Sequence, residues 1–297
     1  MHCRFVGQLC WFDGVVVVRC VIDSGHVVAE KGRDNMSGFV EFSGVGKTYR
    51  ESHGQTVIVE NFDLHIAKGE CVSLLGHSGC GKSTILTMAA GLTAITDGGI
   101  LVDGHGVDGP GPDRRVVFSL PGLLPWMTVF DNVMLSVRQT HPNATSEERE
   151  AIVDGFLHPL GLSDVRDHKA TELARGIQQR VGIARAVALN PKMLLLDEPF
   201  ALLDAEDRMT LQDLLLDLHW RHHLTTLMIT RDIDEALLIS DRVVLMTKGP
   251  KATVGKIVDV QFDRPRVRAK IATHPQYAEL RRQISAFLEE QERIDAA

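Results

Sequence analysis

Gly76-His77-Ser78-Gly79-Cys80-Gly81-Lys82-Ser83 follows the spacing G-x-x-x-x-G-K-[ST], which wraps a chain around phosphate. Its glycines let successive backbone N–H groups turn inward with no Cβ in the way. Lys82 can then reach the β- and γ-phosphates, and the Ser83 hydroxyl, followed by Thr84, can ligate Mg²⁺. A second set of chemically able residues closes the apolar run Met193-Leu194-Leu195-Leu196-Asp197-Glu198. Two carboxylates at the end of such a run divide the work: Asp197 holds the metal, directly or through water, and Glu198 polarises an attacking water as general base. Alone, the pair also reads as acids capping the turn before Pro199; beside a phosphate loop it reads as the other half of a nucleotide site.

These residues need elements to hold them. Glu70-Cys71-Val72-Ser73-Leu74-Leu75 is a buried strand entering the loop, and Ser83 to Ala90 is a helix leaving it, with its positive N-terminal end towards the phosphates. The apolar run before Asp197 suits a parallel strand buried on both faces, and such sheets bind ligands at the carboxyl ends of their strands. Phe39-Val40-Glu41-Phe42 and Val57 to Ile66 read as β segments, as do Thr226–Ile229 and Val243–Met246. Residues 128–180 read as mostly helical, and Thr145 with Glu148 makes a capping box for a helix through Leu157. Asp207–Trp220 reads as helix, and Leu280, Ile284, Phe287 and Leu288 recur at helical spacing. The expected organisation is an N-terminal extension over 1–35, disordered or following a start placed too early; a nucleotide domain over 36–260 with a helical subdomain near 120–180; and a basic linker and helix over 261–297. There is no internal repeat.

At 297 residues, 44% hydrophobic and with net charge −7, the chain can bury a large core. Its acidic balance argues against a nucleic-acid partner, and no window approaches 18 uninterrupted apolar residues. Of five cysteines, three lie in the first 20 residues, and none shows the spacing of a zinc site or disulfide framework, which suits a reducing compartment.

Further segments resemble one family, the ATP-binding subunits of ABC transporters. Leu173-Ala174-Arg175-Gly176-Ile177-Gln178-Gln179 resembles its signature segment, Phe200-Ala201-Leu202-Leu203-Asp204 its D-loop, and Tyr49 stands where an aromatic stacks on adenine. The resemblance covers about residues 38–290. Asp108-Gly109-Pro110-Gly111-Pro112-Asp113-Arg114, Leu123-Leu124-Pro125-Trp126, Met246-Thr247-Lys248-Gly249-Pro250 and His274-Pro275-Gln276-Tyr277 are similar to the nitrate, sulfonate and taurine importer group, the nitrate branch best. The resemblance implies an α/β fold: a P-loop NTPase core of ABC ATPase type, with an antiparallel β subdomain and a helical subdomain. It implies ATP and Mg²⁺ as ligands and transport-coupled ATP hydrolysis. Its implied partners are transmembrane permease subunits, a second ATP-binding subunit and, indirectly, a periplasmic solute-binding protein; the implied place is the cytoplasmic face of the membrane. Gly76 to Thr84, Asp197 and Tyr49 would hold the nucleotide, Ala174, Arg175 and Gly176 would cap the partner protomer's γ-phosphate, and Asp204 would contact the partner.

Three departures cluster where the γ-phosphate is sensed. Ala174-Arg175-Gly176 replaces the family's Ser-Gly-Gly, removing a hydroxyl and adding a long cation. Ser119 replaces a glutamine that reaches Mg²⁺ and water, falling short by roughly 2–3 Å. Arg231 replaces a histidine; as a permanent cation it donates only, holding phosphate or acting as an arginine finger. Slow or partner-dependent hydrolysis is the expectation. The alternatives are a degenerate, ATP-binding regulatory or heterodimer-partner subunit and a soluble cassette acting on nucleic acid or ribosomes. His219 with His222 or His223 reads as a solvent-facing helix, Cys80 as a small space-filler, and 264–270 as a solvated basic linker.

Overall fold

Apolar residues alternate between two destinations along the central strands, and this sets the architecture. The structure, a computed structural model, describes residues 10–12, 15–17, 38–51 and 54–293. In the first 36 residues it describes β1 (Cys10–Phe12) and β2 (Val15–Val17), paired antiparallel with Trp11 opposite Val16. The expected disorder or early start of 1–35 otherwise concerns residues outside those described.

The second unit, from Ser37 onward, runs β3 (Val40–Glu51), β4 (Gly54–Ile66), β5 (Cys71–Leu75), α1 (Lys82–Ala89), β6 (Asp97–Val102), β7 (His105–Gly106) and β8 (Arg114–Phe118). It continues with α2 (Val129–Thr140), α3 (Ser146–Leu157), α4 (Arg175–Val187), β9 (Met193–Asp197), α5 (Ala205–His222), β10 (Thr225–Ile229) and α6 (Ile233–Ile239). It closes with β11 (Arg242–Met246), β12 (Val254–Asp259), α7 (Arg268–Ala272) and α8 (Pro275–Arg293). Two sheets result: a four-stranded one in the order β4-β3-β6-β7, antiparallel throughout, and a six-stranded one in the order β12-β11-β5-β10-β9-β8. The latter is parallel except for β12.

Strand period decides the core. On β5, Cys71 and Leu75 enter one apolar cluster while Val72 and Leu74 enter the other; on β9, Leu194 and Leu196 oppose Met193 and Leu195. Both faces are covered, so these strands are apolar at nearly every position. One cluster holds α1 between the two sheets, where Ile85, Leu86 and Met88 meet Phe42, Phe62 and Leu64. The other packs α4, α5 and α6 beneath the sheet and extends into α2 and α3. Thr145 and Glu148 form the expected capping box of α3.

Two expectations are corrected. His219 does not face solvent: it is 7% exposed on α5, and burial, with Arg264 nearby, lowers its pKa to about 4. Nor is the basic run solvated throughout: Lys270 is exposed, but two of its arginines are not. Arg264 pairs with Asp241 at 2.6 Å, and Arg266 is buried, donating to the Leu238 and Ser240 carbonyls at 3.1 and 2.6 Å. Counting charges along the chain could not locate the carbonyls and carboxylate at the end of α6 that draw these arginines in.

Candidate nucleotide site

The parallel strands bring β5, β8, β9 and β10 out at one edge of the sheet, with Ile229 opposite both Asp197 and Leu74, and Phe118 opposite Asp197. Every motif segment therefore leaves the sheet on the same side. β5 is buried at each position, and its loop re-enters a helix at Gly81, which caps α1 at φ 95°. A Cβ there would lie 2.8 Å from the Val59 methyl, so both conformation and space require glycine.

Lys82 folds over its own loop. Its Nζ donates to the Gly76 and His77 carbonyls at 2.7 and 2.8 Å and lies 3.7 Å from Cys80 Sγ. Cys80 is 1% exposed, and its sulfur fills the space a side chain at Gly76 would need, in keeping with the space-filling reading. His77 turns away from the loop's interior, with Nε2 2.9 Å from the Leu288 carbonyl on α8.

At the end of β9, Ser83 Oγ donates to Asp197 Oδ1 at 3.3 Å. Burial raises the Asp197 carboxyl above its ordinary range, opposed by that hydrogen bond. A hydroxyl and a carboxylate at a helix start form the hard oxygen set that suits Mg²⁺. Glu198 follows in the left-handed region, at φ 47°, a conformation costing about 1–2 kcal/mol; its N–H donates to the Ile229 carbonyl at 3.0 Å. That turn points its carboxylate at the second residue after β10. Arg231 Nε donates to Glu198 Oε1 at 2.7 Å. The arginine that sequence reasoning aimed at phosphate is thus bonded to the expected base, a pairing that no spacing rule announces.

A cavity of about 270 Å³ is lined by Tyr49, Ser78, Gly79, Gly81, Lys82, Ser83, Thr84, Glu198 and Arg231, together with Ile58. Tyr49 is 41% exposed, with Lys47 Nζ 4.9 Å from its ring centre. Ser119, Ala174, Arg175, Gly176 and Asp204 do not line it. Ser119 leaves β8 one residue past the partner of Asp197. Ala174 is the N-cap of α4 and makes no side-chain cap, while Asp204 caps α5 by accepting from the Asp207 N–H at 2.9 Å. Gly176 packs where a Cβ would overlap the Asp207 carboxylate, 2.2 Å away.

The altered segments are mechanically joined. From α4, Gln179 Nε2 donates to the Phe118 carbonyl at 2.9 Å, and Arg185 donates to the Pro121 and Gly122 carbonyls at 2.8 and 3.0 Å. Asn132 on α2 is buried and bonds Leu124 from both its amide ends. Sequence reasoning missed these grips; their only signal is a run of polar residues on helices that turn out to be buried.

A phosphate loop entering a helix and a metal-suited hydroxyl–carboxylate pair, with Glu198 directly after that carboxylate at the end of β9, define a P-loop nucleoside triphosphatase. The ABC transporter family profile matches residues 59–201. The chain is 44% identical over 252 residues to the nitrate import ATP-binding protein NrtD of Synechococcus elongatus, covering 85% of this chain and 92% of that one. It is 45% identical over 258 residues to the nitrate transport protein NasD of Klebsiella oxytoca, covering 86% and 98%. To the bicarbonate transport ATP-binding protein CmpD of Synechocystis it is 44% identical over 252 residues, covering 85% and 89%. A dimeric post-hydrolysis state of the ATP-binding cassette MJ0796 bound to ADP and Pi matches in structure with TM-score 0.66 at 29% identity, covering 75% of this chain and 100% of that one. The chain belongs to the ATP-binding subunits of ABC transporters, and its fold is the ABC ATPase type of P-loop core expected from the sequence. Among the described residues no helix is long and apolar enough to cross a membrane.

Proposed function

We propose that this chain is the energising ATPase of an importer for a small planar oxyanion, nitrate or its relative in shape and charge, bicarbonate. The observation that carries this is 44–45% identity along nearly the whole cassette to subunits named for those two solutes. The same likeness favours a working motor over the degenerate alternative. Sulfonate or taurine, also in view from the sequence, has no named counterpart among these relatives.

In this reading Tyr49 stacks on adenine. The amides of Gly76 to Thr84 and the Lys82 ammonium take the phosphates, while Ser83 and Asp197 hold Mg²⁺, which when bound neutralises phosphate charge. Glu198 takes a proton from water as its oxygen bonds to the γ-phosphorus and the bond to the β–γ bridging oxygen breaks, giving ADP and Pi. Ala174, Arg175 and Gly176 face the partner protomer's γ-phosphate, and Asp204 its dimer contact. This chain and a second ATP-binding subunit sit at the cytoplasmic face against membrane-spanning permease subunits, and a periplasmic solute-binding protein acts indirectly from the opposite side.

Hydrolysis in this subunit is slow or depends on its partners. The 2.7 Å Arg231–Glu198 bond occupies the base, Ser119 cannot reach where the usual glutamine does, and Ala174 offers no hydroxyl. Steady-state ATP hydrolysis by the purified chain, with Glu198→Gln as control, tests this. Low turnover abolished in the control is expected; turnover indifferent to Glu198 overturns the assignment of the base. Loss of nitrate uptake, but not bicarbonate uptake, on deleting the gene selects between the two anions.

A further inference from the structure

Arg231 is exposed, with a side chain 65% accessible, and it reaches a Glu198 side chain that is 23% accessible. Holding so long and exposed a side chain in one geometry costs rotamer entropy, and a fixed backbone makes the bond easier to keep. The fixing group lies on the first turn of α6. Glu235 is 8% exposed, and its Oε2 accepts from the Thr230 hydroxyl at 2.6 Å. Thr230 Oγ1 in turn accepts from the Asp232 N–H at 3.1 Å. Arg231 is therefore the apex of a three-residue bend whose two ends are tied together through one hydroxyl, and that hydroxyl is tied to Glu235.

The other oxygen of Glu235 faces α5. Its Oε1 accepts from Gln212 Nε2 at 3.0 Å and lies 3.7 Å from Arg208 Nε. Arg208 also donates through Nη2 to the Leu203 carbonyl, at 3.3 Å, in the turn that leads into α5. Burial raises the Glu235 carboxyl above its ordinary range, opposed by the Thr230 hydrogen bond. A cavity of about 110 Å³ lies among Glu198, Arg208, Thr230, Arg231 and Glu235, leaving room for the arginine to move. Helix capping does not need this carboxylate: Asp232 already accepts from the Asp234 and Glu235 N–H groups.

We propose that Glu235 is a positioning residue that holds the Arg231–Glu198 latch closed, and that it reads the position of α5 through Arg208 and Gln212. Displacement of the turn at Leu203 relative to α6 pulls on Glu235, loosens Thr230 and frees the base. This rests on the proposed role of Glu198, and the test separates the two.

The readout is ATP turnover and KM for Glu235→Ala and Thr230→Val, each alone and combined with Arg231→Ala, beside Glu198→Gln. Opening the latch raises kcat about threefold with KM unchanged, and the gain vanishes once Arg231 is absent, because the two changes act on one event. Mere structural damage lowers kcat, raises KM and persists without Arg231; that pattern in both variants overturns the proposal. If wild-type turnover does not depend on Glu198, the base assignment fails, and hydrogen exchange at Arg231 Nε by NMR decides the latch. Exchange faster by about tenfold in Thr230→Val sustains the positioning role, and unchanged exchange ends it.

Discussion

The two ends of the nucleotide site are built by different rules. At the phosphate-loop end, Lys82 is 6% exposed and held by two carbonyls, Cys80 fills the void behind Gly76, and Gly81 occupies a conformation only glycine takes easily. At the segments expected to sense a γ-phosphate, of which only Arg231 lines the cavity, Ala174 makes no side-chain cap, Arg175 is exposed, and Arg231 is bonded to Glu198. The first end is overdetermined by packing, so a substitution there must disturb the core. The second stands in solvent, so side chains can change while the fold is kept. With the roles proposed above, substitution at the exposed segments should alter rate before it alters affinity.

The largest break in this contrast comes from Lys82→Ala, which should lower turnover by at least about 10²-fold and weaken nucleotide binding, whereas Glu198→Gln should lose turnover by a similar factor and keep binding. Titration of a fluorescent nucleotide beside a phosphate-release assay separates the two; equal loss of binding in both variants would erase the distinction. Next in size is Gly176→Ala, because its methyl group displaces an Asp207 carboxylate that also lies 3.4 Å from Arg180 Nη2. About 1–3 kcal/mol of stability should be lost, visible as a lower denaturation midpoint, even though this glycine belongs to the tolerant end.

Arg231→His sharpens the comparison from the other side. It removes the latch and supplies a group that both donates and accepts, so turnover should rise about fivefold with little change in KM. A fall would make Arg231 an asset to the chemistry. The smallest effect belongs to Ala174→Ser. A hydroxyl at the N-cap of α4 should satisfy an N–H of the first turn and add about 1 kcal/mol, read as a small rise in melting temperature.

Much of this was legible along the chain. Strand, loop and helix around Lys82 could be placed because apolar runs, glycines and capping residues are local signals, and the capping box at Thr145 and Glu148 appears as written. Asp197 and Glu198 were legible because the phosphate loop elsewhere in the chain decides between a nucleotide site and acids that merely cap the turn before Pro199. The Arg231–Glu198 bond was not, since it depends on β9 and β10 being neighbours in register with Asp197 opposite Ile229. His219 was misjudged for a related reason: histidines at helical spacing look alike until a neighbouring element covers one of them.

By itself, then, the sequence determined the class of chemistry. Phosphate recognition here is carried by consecutive residues, whose backbone amides, lysine and hydroxyl come into position through local conformation alone. Only the tertiary structure decided what the altered residues touch. Glu198 follows β9, Thr230 and Arg231 join β10 to α6, Glu235 lies on α6 and Arg208 on α5; a hydrogen bond made or lost between these segments depends on a few ångströms of packing that no local pattern encodes.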